Sequence, residues 1–160
     1  MSACAKGHLS AFKYLIEKGA DYNAIDSTGR TVFSWSCVGG NVDIIDFLIA
    51  KGCDIHKSNK SGKTPLMSAC AKGHISAFKH LIAKGADYDA SDSTGCTVFS
   101  WSCIGGNVDI IDFLITKGCD IHKPNNNGKT PLMEACAKGH LSAFKYLIVK
   151  GADYKASDST

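Results

Sequence analysis

Residues 64–73 read TPLMSACAKG and residues 41–52 read NVDIIDFLIAKG; each spells a short helix with its own start and stop. In the first, Thr64 supplies an N-cap, Pro65 takes the first helical position where a missing N–H costs nothing, and Gly73 ends a segment of about two turns. In the second, Asn41 is the cap, Asp43 lies near the positive N-terminus, Lys51 near the negative end, and Gly52 gives the left-handed stop. Ile44, Ile45, Leu48 and Ile49 recur at helical spacing, while Asp43 and Asp46 turn outward. Helices this short are marginal alone, so each needs a neighbour.

Repetition supplies the neighbours. Gly7, Gly40, Gly73, Gly106 and Gly139 are 33 residues apart, as are Gly19, Gly52, Gly85, Gly118 and Gly151. A 66-residue period overlies this one: residues 1–66 and 67–132 differ at only eleven positions. Two unit types therefore alternate, one written MSACAKGH and the other WSCVGGN. The stretches between them, such as GADYDASDSTG, read as extended loops with a tight turn at Asp92-Ser93-Thr94-Gly95. A catalytic centre is assembled once from unlike pieces, so a sequence that copies itself argues for a surface.

The 33-residue period, TPLMSA at 64–69, TPLMEA at 130–135 and three copies of KGADY resemble the ankyrin repeat, whose signature is T-P-L-H-x-A with two helices and a β-turn. The resemblance covers the whole chain and implies an all-α solenoid of stacked helix-turn-helix units with β-turn or hairpin loops. It divides a single array over 1–160 into a partial repeat at 1–25, units at 26–58, 59–91, 92–124 and 125–157, and the start of a further unit at 158–160. Met67 and Met133 stand where the family has histidine, and TVFS replaces the tetrapeptide at 31–34 and 97–100. These departures remove the usual Thr–His hydrogen bond, so rigidity is expected to lean on apolar packing. Without specialised polar caps, the ends are expected to fray or to support end-to-end self-association.

Composition excludes several function classes. With 44% hydrophobic and 21% charged residues the chain can bury a core, and a net charge of +3 without any Lys/Arg run does not suit nucleic acid or a membrane surface. No secretory leader or spanning stretch is evident, so a cytoplasmic protein is expected. Cys4, Cys37, Cys70, Cys103 and Cys136 occupy one structural position five times. Helical layers pack about 8–10 Å apart, too far for disulfides, so this ladder reads as reduced, buried thiols. Cys53, Cys96 and Cys119 include no C-x-x-C pair, and no metal or other cofactor is expected. GKT at 62–64 and 128–130 lacks the upstream glycine of a phosphate loop. The histidines, in two ladders, His8, His74, His140 and His56, His122, with His80 alone, show no Ser/Asp or Cys partner arranged around any of them, so they read as loop and turn hydrogen-bonders rather than catalysts.

The resemblance implies a non-catalytic scaffold for protein–protein interaction, binding through the turn tips and short helices of a concave face. Those positions are Ser27, Thr28, Arg30, Lys60, Ser61, Lys63, Lys72, Ser93, Thr94, Cys96, Asn126, Asn127, Lys129 and Lys138. Their charge is mostly positive, with Glu134 the main opposing charge on that side, which suits a protein partner with an acidic surface, and Asp43, Asp46, Asp109 and Asp112 are expected to make the back acidic. Trp35 and Trp101 share their register with Ser68 and Glu134, so the position tolerates polarity; packing against a neighbouring unit is the expected role, partner anchoring the alternative. Two rival readings remain: a structural or engineered array without a dedicated partner, and a regulatory segment of a larger enzyme or channel.

Overall fold

The computed structural model describes residues 1–155, which form ten helices. The short first helices of successive units are α1 (Ser2–Ala5), α3 (Val32–Gly39), α5 (Pro65–Cys70), α7 (Val98–Gly105) and α9 (Pro131–Ala137). The second helices are α2 (Leu9–Glu17), α4 (Val42–Ala50), α6 (Ile75–Ala83), α8 (Val108–Thr116) and α10 (Leu141–Val149). Each row packs in series, first helix on first helix and second on second, giving the stacked solenoid of the sequence reading. The proposed further unit at 158–160 lies outside the described residues.

The caps follow from local chemistry. Thr31, Thr64, Thr97 and Thr130 each accept, at 3.0–3.4 Å, the N–H three residues on, and Asn41 and Asn107 do the same for α4 and α8. The missing histidine is replaced by two substitutes. Thr31 and Thr97 meet the hydroxyls of Ser34 and Ser100 at 3.4 and 3.2 Å, while the N–H groups of Thr64 and Thr130 donate to the sulfurs of Met67 and Met133. Apolar packing still dominates: Phe33, Phe78, Phe99, Ile44, Leu48, Met67 and Leu114 are all but fully buried, and Phe12–Phe47 and Phe78–Phe113 meet edge to face across units.

Interlocking shapes account for the alternation of unit types. Gly39 and Gly105 end α3 and α7, and a methyl on either would collide with the carbonyl oxygen of Cys4 or Cys70 in the preceding unit. Gly40 and Gly106, at φ of 73° and 72°, lie directly beneath the imidazoles of His74 and His140 in the following unit. Those rings donate through Nε2 to the carbonyls of Val38 and Ile104 at 2.9 Å, and Asn41 and Asn107 donate to the carbonyls of Gly7 and Gly73 at 3.2 and 3.0 Å. His74 and His140 thus tie one unit to the next rather than serving only their own turns. Each WSC-type unit is shaped to receive an MSAC-type unit on both sides.

The cysteine ladder is buried at Cys4, Cys37, Cys70 and Cys103, and burial pushes the thiols of Cys37 and Cys103 up to about 12. Cys136 departs from the expectation and is exposed, because among the described residues no later helix covers that face of α9. Among the described residues, no helix is long and apolar enough to cross a membrane.

Candidate interaction groove

Between one helix pair and the next the chain forms a short turn with an acidic or amide side chain at its base. Asp26 Oδ1 accepts from the N–H and hydroxyl of Thr28 at 2.8 and 2.6 Å and from the Arg30 N–H at 3.0 Å. The Thr28 hydroxyl, helped by the Arg30 N–H and the Trp35 indole, holds the Asp26 carboxyl down at about 2, so it stays ionised. Asp92 repeats the pattern with Thr94 and Cys96, and Asn59 and Asn125 serve the two intervening turns. Successive tips are joined by main-chain bonds, Lys60 to Thr28, Ser93 to Ser61 and Asn126 to Thr94, at 2.8–3.1 Å. The row of turns is therefore one continuous edge.

The second oxygen of each aspartate reaches back to the first helix. Asp26 Oδ2 and Asp92 Oδ2 accept from the indole N–H of Trp35 and Trp101 at 2.9 Å, fixing both rings. Arg30 lies over Trp35, its guanidinium carbon 4.9 Å from the ring centroid, and Lys63 Nζ stands 3.3 Å from the centroid of Trp101, a residue of the next unit. These groups, with Val38, Ser68, Ala71, Lys72, Ile104 and Lys138, line one open groove of about 520 Å³ along α3, α5 and α7. Partial burial, followed by repulsion from Arg30, lowers the Lys63 ammonium to about 8.

Of the positions expected to contact a partner, Arg30, Lys63, Lys72 and Lys138 come together in this groove. Ser27, Thr28, Ser61, Ser93, Thr94 and Asn127 stand exposed on the turn edge, and Lys129 is half-buried beside it. Lys60 and Asn126 are exposed too, but their side chains donate to the carbonyls of Ser27 and Ser93, so they lace neighbouring tips together. Cys96 is a correction: only 6% exposed and in contact with the Asn125 amide, it is turned into the array and offers nothing to a partner. The tryptophans pack against the core, as expected, and remain half-exposed on the groove floor. Their tolerance of Ser68 and Glu134 at the same register was the available signal.

On the opposite side Asp43 and Asp109 stand exposed, while Asp46 and Asp112 face side chains of the next unit. Asp46 lies 2.7 Å from His80 Nε2, in an ion-pair position without hydrogen-bond alignment. Asp112 accepts from the Tyr146 hydroxyl and sits 3.5 Å from Lys150 Nζ. Asp112 thus links two units, while Asp46 only approaches the next one.

A family model for ankyrin repeats matches residues 1–92 and 78–158. The chain belongs to the ankyrin-repeat family. Among curated proteins, none matches it. Ankyrin repeats generally mediate protein–protein interaction, and in this ankyrin array the groove beside the turn edge is where side chains are held in place without being used up.

Proposed function

We propose that this chain is a non-catalytic interaction scaffold that takes the acidic surface of a protein partner into the groove between its turn edge and its short helices. The observation that carries this reading is the convergence of Arg30, Lys63, Lys72 and Lys138 on a floor holding two fixed indoles. Counting both tryptophan-bound aspartates against the four cations leaves the groove positive. Complementary charge speeds encounter, and rigid aromatic rings supply contact area at little entropic cost. Eight free cysteines, three of them fully buried, fit a reducing compartment, which supports a cytoplasmic setting.

Cross-linking tests the assignment of the face. A partner captured on the intact chain and treated with a lysine-reactive cross-linker is expected to be joined at Lys60, Lys72 and Lys138. Joining concentrated at Lys79 and Lys145, exposed on α6 and α10, would place binding on the opposite side.

A further inference from the structure

We propose that the centre of the groove, at Lys63, is a pocket for a phosphorylated serine or threonine side chain carried on an exposed segment of the partner. The proposal rests on the interaction reading above and specifies what the groove recognises. Lys63 is walled by Trp101, with Trp35 lining the same groove, and the indole N–H groups of both rings are already given to Asp26 and Asp92. The Ser68 hydroxyl is likewise spent on the Thr64 carbonyl. The groove's free side-chain donors are therefore cationic, and a neutral peptide finds little to bond there.

Charge selects further. The groups acting on the Lys63 ammonium are Arg30 and Lys72, which repel it, Asp92, which attracts it but is engaged by its own turn and by Trp101, and the buried Cys70 thiol. A single carboxylate relieves part of the repulsion among three cations. A phosphate, carrying nearly two negative charges at neutral pH and three acceptor oxygens, relieves more of it and can engage Arg30 through its planar fork of donors.

The arrangement also sets a pH window. The unbound Lys63 ammonium loses its proton at about 8. A bound dianion favours the charged form, so binding above that pH requires proton uptake, and affinity falls as pH rises beyond it. Below about pH 6 the phosphate itself takes a proton, so affinity declines on the acid side as well.

Trp35 and Trp101 are the chain's only tryptophans, which makes intrinsic fluorescence a reporter of this groove. The intact chain is titrated with a short phosphoserine peptide, with the same peptide carrying glutamate or serine instead, and with inorganic phosphate. The phosphoserine peptide is expected to change tryptophan emission saturably and to bind roughly tenfold or more tighter than the glutamate peptide, because charge-assisted bonds to two cations replace one. Lys63→Arg should retain that binding and abolish its decline above pH 8, whereas Lys63→Met should lose it with an unchanged circular dichroism spectrum. Should Lys63→Met unfold, Lys72→Met should weaken binding in its place. Equal affinity for the glutamate peptide would overturn the phosphate pocket while leaving an acidic partner in place. Inorganic phosphate binding as tightly as the peptide would overturn the partner segment as its source. No binding by the phosphoserine peptide, or an alkaline decline that persists in Lys63→Arg, would overturn the proposal outright.

Discussion

Gly105 ends α7 with ordinary helical geometry, a setting in which alanine normally gains up to about 1 kcal/mol. Here the added methyl would strike the Cys70 carbonyl oxygen, so the sign should reverse. Gly105→Ala is expected to destabilise by about 1–3 kcal/mol, the usual range for overpacking, as measured by urea unfolding. A neutral or stabilising result would mean the two unit types are not interlocked at this point. The cysteines make a second residue-scale case. Native thiol titration should label Cys136 rapidly, Cys53 and Cys119 slowly, and Cys37, Cys70 and Cys103 only on unfolding. Their period alone predicted one common environment; the exposure of Cys136 depends on which helix lies over α9, a tertiary fact no local pattern encodes. Rapid labelling of Cys70 would contradict the packing described.

At the scale of elements, the turns hold the binding side chains in place. Asp92, 9% exposed, accepts from Thr94 twice, from Cys96 and from Trp101, so Asp92→Ala removes four bonds and frees an indole. At a net of about 1 kcal/mol each, partly offset by relaxation, the loss should be about 2–4 kcal/mol, and the less buried Asp26→Ala should cost less. Thermal unfolding of the two variants checks this, and equal losses would show that burial of the turn does not matter. The helices and their caps were legible because Thr64, Pro65, Asn41 and Gly73 act on residues within one turn of themselves. The groove was only half legible. Arg30, Lys63, Lys72 and Lys138 could be assigned to one side from their register, but that Lys63 would stand over Trp101, in the next unit, follows from how the layers superpose. Cys96 was misplaced for a related reason: at the register where Arg30 reaches the groove its side chain is short and stays against the Asn125 amide of the next unit, 3.4 Å away.

For the whole molecule, the alternation first seen as a 66-residue period has a physical cause in the His74–Gly40 and His140–Gly106 contacts and their mirror at Gly39 and Gly105. Stability in such an array is approximately a sum over units and interfaces, so positions away from the interfaces are free to serve binding. Most of the groove cations use this freedom at turn and helix-end positions, Lys63 alone reaching across to Trp101 of the next unit, while Asp112 on a second helix holds units together through Tyr146. The central claim, that the positive groove receives the partner, is tested most directly by association kinetics at low and high salt. The variant Lys72→Glu with Lys138→Glu reverses two exposed groove charges, and Asp43→Lys with Asp109→Lys reverses two exposed charges on α4 and α8. The groove variant is expected to associate roughly tenfold or more slowly at low salt and to lose most of its salt dependence, with the second-helix variant close to the parent. A second-helix variant that is slowed while the groove variant binds as the parent does would contradict the account.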